Sequence, residues 1–191
     1  MAGRLLRWAS IAVAFVILLG AGQAGAAERY KRTVESYPVP DLVLINQDGA
    51  KVSLKELMQS NKPVILDFIY GTCTTICPIL STSFTNLQKN LPDATHKVHL
   101  VSVSIDPEHD SPKVMKEYLK RYRAQPGWDF LTGSRANIDR VMNAFNAYIP
   151  DKMSHYPITF IQDKASGKWI RIYGLMGSSD LLAECRKIGV K

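Results

Sequence analysis

Short apolar runs along the chain predict the strands of a sheet. Two runs flank Asp48-Gly49, a dipeptide that is typical of a tight turn between strands. The run at 98–105 alternates less cleanly than a half-exposed strand would, and a later pair of runs predicts a hairpin. The predicted strands cover residues 42–45, 51–54, 64–70, 98–105, 157–162 and 168–173.

Between these runs, apolar residues spaced three or four apart predict amphipathic helices. The clearest stretch follows Pro78, a residue that suits the first turn of a helix because its missing N–H costs nothing there. Ser53, Ser111 and Ser134 each precede a helical pattern and are predicted N-caps. The predicted helices end near Met58, Leu91, Tyr122, Phe145 and Ile188.

From residue 64 onward, the predicted order is strand-helix-strand-helix-helix-strand-strand-helix. This alternation favours an α/β fold, since helices that connect neighbouring strands pack on the faces of the sheet. The sequence therefore predicts a mixed central sheet with helices on both faces, in one domain without internal repeats.

The first 26 residues have the pattern of a secretory signal peptide. Arg4 and Arg7 precede an apolar run at 8–19, and Ala24-Gly25-Ala26 offers small residues for cleavage after Ala26. The alternative is an uncleaved N-terminal anchor, although the run is shorter than the roughly 20 residues of a membrane-spanning helix. The predicted segments are a signal peptide or anchor at 1–26, a linker at 27–40 and a domain at 41–191.

Such a leader predicts an exported, periplasmic protein, either free or tethered to the inner membrane. The full sequence has a net charge of +7, and removal of the leader leaves 22 basic and 17 acidic residues. The excess is spread along the chain without a dense basic block interleaved with aromatic residues, so nucleic-acid binding is not predicted. Charge favours at most a mild preference for acidic partners or anionic membrane surfaces.

Cys73 and Cys77 are the most informative residues of the chain. Three residues separate them in a predicted strand-to-helix loop, and Cys77 is predicted to lie near a helix N-terminus that favours thiolate over thiol. Such a pair suits reversible disulfide chemistry or binding of a thiophilic metal such as Cu(I). In an oxidising compartment, a reductant or a metal must keep the pair from oxidation. Cys185 lies on the apolar stripe of the last helix and is predicted to be buried and inert.

Three motifs follow one another along the chain. Asp67-Phe68-Ile69-Tyr70 leads into Cys73-x-x-x-Cys77-Pro78, the loop Asp106-Pro107-Glu108 follows a strand, and His155 precedes the strand Ile158-Thr159-Phe160-Ile161. Together they resemble the SCO (SenC) family of thioredoxin-fold copper proteins, from about Val39 to the C-terminus. The resemblance implies that the mixed sheet has a thioredoxin-like arrangement.

The resemblance also implies a function and a ligand set. The family is known for delivering copper to the dinuclear copper site of cytochrome c oxidase, with proposed roles in thiol reduction. Its metal is held by two cysteines and one histidine, which correspond to Cys73, Cys77 and His155 here. The expected function is a metallochaperone that binds one copper ion. Its expected partner is a copper-accepting subunit of a respiratory oxidase or another cuproenzyme.

Other functions use the same two sulfurs. In a thiol-disulfide oxidoreductase that keeps a partner's cysteines reduced, Cys73 and Cys77 are catalytic. One of them attacks the partner's disulfide and the other resolves the mixed disulfide. A thiol reductant protein then reduces the Cys73–Cys77 pair again. A permanent disulfide would instead make the loop structural, with little gain in stability from so short a loop. A thiol peroxidase is a further alternative that needs one activated cysteine. The sequence leaves open whether the protein is an enzyme.

The residues around the motifs have weaker cases for a role. Asp106 and Glu108 either shape the loop near the thiols or only form a turn before the next helix. His109 is expected to be solvated, and a proton-donating role at the site is the alternative. Met153 could add a thioether to copper, but packing in the core is expected of it. Met176 is a further soft group for which core packing is expected, and no role in the chemistry is expected for His96 and His99.

The chain departs from the family pattern at two places. The family commonly has Pro and Asp between the cysteines, where this chain has Thr74-Thr75-Ile76, and Ser154 stands where an Asp often precedes the histidine. Both changes remove a carboxylate near the site, which should ease ionisation of the cysteines and weaken the outer hydrogen bonding of the histidine. A family branch that serves another cuproenzyme, or a role in redox sensing, is therefore also open.

Overall fold

A computed structural model describes residues 30–191, so the predicted leader at 1–26 lies outside the described residues. The strands are β1 (Lys31–Glu35), β2 (Val43–Asn46), β3 (Lys51–Ser53), β4 (Val64–Ile69), β5 (His99–Ser104), β6 (Trp128–Thr132), β7 (Ile158–Asp163) and β8 (Lys168–Tyr173). The helices are α1 (Leu54–Gln59), α2 (Cys77–Asn90), α3 (Ala94–Lys97), α4 (Pro112–Arg121), α5 (Arg135–Ala144) and α6 (Ser178–Lys187), and a 3-10 turn spans Lys152–Ser154. Across residues 30–191, no helix has the length and apolar character needed to cross a membrane.

All eight strands form one mixed sheet in the order β1-β8-β7-β4-β5-β6-β2-β3. The neighbours β4, β5 and β6 run parallel to one another, whereas the other pairs are antiparallel. Strands β4 and β5 are buried almost throughout, as expected of parallel strands that are covered on both faces. The prediction of a mixed central sheet is confirmed.

Helices pack on both faces of this sheet, as predicted. On one face, Phe84 of α2 packs edge-on against Trp128 of β6, with ring centroids 5.4 Å apart. On the other face, Phe145 at the end of α5 contacts Phe68 of β4 and Phe160 of β7. Edge-to-face aromatic pairs of this kind add to the stabilisation from burial, so they fix the helices against the sheet.

The predicted serine caps are confirmed. The hydroxyls of Ser53, Ser111 and Ser134 each accept a hydrogen bond from the backbone N–H three residues later. Each bond satisfies one of the first N–H groups of a helix, which have no partner within the helix itself. Pro78 lies in the first turn of α2, also as predicted.

The predicted order of elements is wrong at β6, a strand that the sequence does not predict. The sequence places two helices in succession here, but β6 separates α4 from α5 and pairs in parallel with β5. The prediction is wrong because β6 has only five residues, and so short an apolar run is compatible with either a strand or a helix end. Pairing with β5 along one edge and with β2 along the other makes it a strand.

Strand β1 lies within the predicted linker at 27–40. It pairs with β8 from Lys31 to Glu35 and forms one edge of the sheet. All of its residues except Val34 are polar, and most are exposed, so their pattern carries no strand signal. The pairing comes from a partner strand more than a hundred residues away, which local sequence cannot reveal.

A buried carboxylate connects this edge strand to the last helix. Glu184 of α6 is fully buried and accepts hydrogen bonds from Arg32 at 3.0 Å, Lys187 at 2.7 Å and Tyr30 at 3.3 Å. Burial alone would favour the neutral acid, but the bonds from Lys187 and Arg32 outweigh it and hold the pKa of Glu184 below its usual 4.5. The carboxylate therefore clamps the two ends of the described chain together.

Replacing Glu184 with Gln is expected to lower the free energy of unfolding by about 2 kcal/mol, because hydrogen bonds to charged groups are worth about 1.5–3 kcal/mol. A carboxylate whose pKa is lowered by folding stabilises the protein above its unfolded pKa and loses that contribution as the pH falls through its folded pKa. The difference between wild type and E184Q should therefore shrink in acid. Urea unfolding followed by circular dichroism at neutral and acid pH measures it.

Glu117→Gln is the matched control, because this carboxylate is exposed on α4 and its nearest ammonium, that of Lys120, is 3.9 Å away. The control should change the free energy of unfolding by less than about 0.5 kcal/mol. Equal effects of the two substitutions, or a difference from wild type that does not depend on pH, would contradict the clamp.

Candidate metal centre

The two cysteines lie where β4 ends and α2 begins. Cys73 is in the connecting loop, with its backbone N–H bonded to the carbonyl of Tyr70 at 3.2 Å, and Cys77 is the first residue of α2. The parallel neighbour β5 ends beside β4, so the loop lies at the carboxyl edge of the sheet. This is the edge at which α/β sheets place their functional loops.

His155 reaches the same place from a distant segment. It follows the 3-10 turn Lys152–Ser154 and precedes β7, and its Nε2 lies 3.2 Å from Cys77 Sγ and 3.9 Å from Cys73 Sγ. The three donor atoms all lie within 4.8 Å of one another. Within residues 30–191, this is the only group of three or more His, Cys, Asp or Glu side chains with a geometry that could hold a metal ion.

A backbone hydrogen bond selects the tautomer of His155. Its Nδ1 lies 2.8 Å from the carbonyl oxygen of Lys152. A carbonyl can only accept, so Nδ1 carries the proton and Nε2 presents a lone pair towards the sulfurs. Burial lowers the pKa of His155, which keeps the ring neutral and that lone pair available.

The two thiols differ in their ionisation. Burial raises the pKa of Cys73, but hydrogen bonds from the Cys77 thiol and from the N–H groups of Cys77 and Thr75 outweigh it, so that the pKa falls below its usual 9.0. Burial, and then the role of donor to Cys73, raise the pKa of Cys77 above that value. Cys73 is therefore the first sulfur to ionise, and Cys77 holds its proton and donates it in a hydrogen bond. The prediction that the helix N-terminus favours a thiolate at Cys77 is wrong, because Cys77 is completely buried and burial outweighs the helix dipole.

Thr75 occupies the stretch in which the family commonly has an Asp. Its Oγ1 lies 3.6 Å from Cys73 Sγ, and its backbone N–H also bonds to that sulfur. A hydroxyl and an N–H stabilise a thiolate, whereas a carboxylate would repel it. The departure from the family pattern thus favours ionisation at Cys73, as the sequence predicts.

Tyr70 forms one wall of the site and is missed by the sequence analysis. Its ring lies edge-on to His155 at 5.0 Å, and the ammonium of Lys152 lies over its face at 5.3 Å. Burial, the charge of Cys73 and a hydrogen bond with that thiol raise the pKa of Tyr70 to about 12. The phenol therefore remains neutral and can donate to the sulfur.

A second residue that the sequence analysis misses is Asp110, which holds the start of the cysteine loop. Both of its carboxylate oxygens lie 3.1 Å from the backbone N–H of Gly71, and the Ser104 hydroxyl donates to one of them. A Cβ at position 71 would lie 2.7 Å from Asp110 Oδ1, so the close approach requires glycine. The only sequence signal for this role is that Asp110 directly precedes the N-cap Ser111. An Asp at such a position often only forms a turn, so the signal does not distinguish the two roles.

Asp106 holds the histidine segment from the other side. It is buried, and Lys152 and His109 donate to its two oxygens. Burial opposes its ionisation, but the bonds from Lys152 and His109 prevail and hold the pKa of Asp106 below its usual 3.8. Glu108 pairs with Arg135 at the surface instead. Asp106 therefore shapes the site through Lys152, whereas Glu108 lies outside it.

Asp67, in the first motif, is fully buried in β4. Burial raises the pKa of Asp67 to about 7, although the nearby Ser102 hydroxyl opposes part of this shift. An ionised Asp67 would raise the pKa of Cys77 further, because the two negative charges repel each other.

The remaining candidates lie outside the cluster. The side chain of His109 is 67% exposed and bonds to Asp106, while His99 pairs with Asp129 at 2.7 Å. Cys185 is fully buried, and burial raises its pKa to about 12, so the prediction of a buried thiol is confirmed. Met153 is exposed, which contradicts the expectation that it packs in the core.

Comparison with known proteins identifies the relatives of this chain. The model of the SCO1/SenC family matches residues 32–186. The SCO1 protein homolog of Bacillus subtilis is 38% identical over 117 residues, an alignment that spans 60% of this chain and 60% of that protein.

Solved structures agree with the sequence comparison. BsSco, a member of the Sco family of cytochrome c oxidase assembly proteins in which a disulfide switch was identified, is 30% identical with a TM-score of 0.65. That alignment covers 80% of this chain and 94% of BsSco. Arabidopsis thaliana ScoI with copper bound is 25% identical with a TM-score of 0.65, over 78% of this chain and 96% of ScoI. The thioredoxin-like arrangement of the sheet is thereby confirmed.

The asymmetry of the thiols makes a prediction for alkylation of the reduced protein. Iodoacetamide should modify Cys73 first, because its thiolate forms at lower pH and it is 6% exposed, whereas Cys77 is completely buried. The rate at Cys73 should reach half of its plateau below pH 9.0, the usual pKa of the thiol. Peptide mass mapping over a pH series measures this, with Cys185 as the internal control. Earlier modification of Cys77 or Cys185 would contradict the assignment.

Proposed function

The chain belongs to the SCO1/SenC family, and on that premise we propose that it binds one copper ion through Cys73, Cys77 and His155 and delivers it to a respiratory oxidase. The observation that carries the proposal is the convergence of two sulfurs and one imidazole nitrogen within 4.8 Å. Copper is the cargo of this reaction, and the protein is its carrier.

The donor set suits copper chemically. Two thiolates are soft ligands that prefer Cu(I), and the imidazole adds a nitrogen that Cu(II) also accepts. Binding requires both cysteines as thiolates, so the proton of Cys77 must leave when the ion enters. The tautomer fixed by Lys152 needs no such change, because Nε2 already presents its lone pair.

A copper ion with only three protein ligands can accept a further ligand from a partner protein, which allows the ion to be transferred. A partner's donor can bind the ion before the carrier's ligands let go, so that copper passes by exchange of ligands without becoming free. A disulfide between Cys73 and Cys77 would remove both thiolates, so only the reduced protein can be loaded.

The proposed recipient is a copper-accepting oxidase subunit. BsSco, whose family is described as assembling cytochrome c oxidase, supports this choice. The other candidate recipient is another periplasmic cuproenzyme. We further propose that the leader at 1–26 exports the domain at 41–191, free or anchored to the inner membrane by its N-terminus, to the compartment of that recipient.

A thiol-disulfide oxidoreductase is the second candidate function, favoured by the difference between the two thiols. The Cys73 thiolate would attack a disulfide of the partner and release one partner thiolate. Cys77, after losing its proton, would then attack Cys73 and release the second. The partner gains two electrons, the pair is left as a disulfide, and a thiol reductant protein must restore it.

His155→Ala separates the two functions. In the reduced protein, loss of the imidazole should weaken Cu(I) binding by more than about 100-fold, since even indirect supports of a metal site contribute 10- to 100-fold. Disulfide exchange with a small substrate should change little, because that chemistry uses only the sulfurs. Competition with a chromophoric Cu(I) chelator measures the affinity.

His96→Ala is the matched control, since His96 is exposed, lies 3.8 Å from Asp93 and is outside the cluster. It should retain one copper per chain at wild-type affinity. Wild-type protein that retains no copper when reduced, or retains it fully after oxidation of the pair, would overturn the carrier function. Exchange activity in that copper-free protein would support the oxidoreductase instead.

A further inference from the structure

Met153 differs from every other described methionine. Its side chain is 73% exposed, on the 3-10 turn two residues before His155. The other described methionines are at most 2% exposed and belong to the core, namely Met58, Met115, Met142 and Met176. The exposed methionine therefore lies beside the candidate metal centre and contributes nothing to the core.

The thioether of Met153 lies next to the ligands. Its Sδ is 3.6 Å from the hydroxyl of Tyr70, the residue that forms one wall of the candidate metal centre. The thioether is thus in contact with a side chain that itself contacts the ligand His155. The ring of Tyr70 also borders His155, so Met153 lies at the rim where solvent meets the site.

The backbone around Met153 is well fixed. Its N–H donates to Asp151 Oδ1 at 2.9 Å, and the N–H of His155 donates to the carbonyl of Lys152 at 3.2 Å. These bonds hold the turn, so only the flexible side chain of Met153 is free to move towards the cluster or away from it.

A thioether has the properties of a transient ligand for Cu(I). It is soft, so it binds Cu(I) in preference to Zn²⁺ or Mg²⁺. It is neutral and has no proton to lose, so it can bind the ion without the deprotonation that a thiol requires. A single thioether binds weakly compared with two thiolates, so it does not compete with them for the ion.

We propose that Met153 is an entry and exit ligand for Cu(I), which binds the ion at the rim and exchanges it with Cys73. The proposal rests on the carrier function proposed above and adds a fourth protein donor to the path of the ion. Transfer is a ligand exchange without a change of oxidation state: the Cu–Sδ bond breaks as the bond to the Cys73 thiolate forms, and the proton of Cys77 leaves to solvent when that second sulfur binds the ion.

Met153→Leu tests the proposal, because leucine keeps the apolar volume and removes the sulfur. The rate of Cu(I) uptake from its glutathione complex by the reduced full chain should fall about tenfold, which corresponds to about 1.4 kcal/mol of barrier. The equilibrium affinity should stay within about twofold, since the three ligands of the cluster remain. Met176→Leu, the same exchange at a buried methionine, should leave both quantities at their wild-type values.

A second measurement observes the thioether directly. In protein labelled with methyl-13C methionine, substoichiometric Cu(I) should shift or broaden the methyl resonance of Met153, and a Met153→Leu sample assigns that signal. Uptake by M153L at the wild-type rate, or a Met153 resonance that Cu(I) leaves unchanged, would overturn the proposal while the carrier function stands. Wild-type protein that retains no Cu(I) would overturn both.

Discussion

The Asp110 carboxylate is the constraint on which the site depends. It binds the N–H of Gly71 with both oxygens and accepts from Ser104 at the end of β5, so it ties the start of the cysteine loop to the neighbouring parallel strand. The contact is close enough that position 71 has no room for a side chain. With the loop held at this point, Cys73 and Cys77 take the places from which both sulfurs can meet His155.

Two segments of the chain supply the donor atoms of the site. The cysteine loop supplies two sulfurs with opposite tendencies, one inclined to ionise and the other to keep its proton. The segment before β7 supplies a nitrogen, and the tautomer of its ring is fixed by a carbonyl three residues earlier. Lys152 serves both arrangements, since its carbonyl orients His155 and its ammonium binds Asp106.

Sequence was sufficient where the signal is local or carried by a motif. The serine caps, the buried strands β4 and β5, and the three donors of the cluster all follow from the spacing of residues or from the family resemblance. Strand β1 could not be predicted, because its polar pattern becomes a strand only by pairing with β8. The role of Asp110 and the exposure of Met153 were equally hidden, since each depends on which distant backbone lies beside it.

The separation of the donors along the chain has a mechanical consequence. His155 is 82 residues from Cys73, so an ion held by both closes a long loop, as a covalent cross-link would. An ion that binds the folded arrangement and not the unfolded chain would raise the resistance of the domain to unfolding. Because the fold already brings the three donor atoms within 4.8 Å of one another, release of the ion would remove that added stability and leave the loop closed.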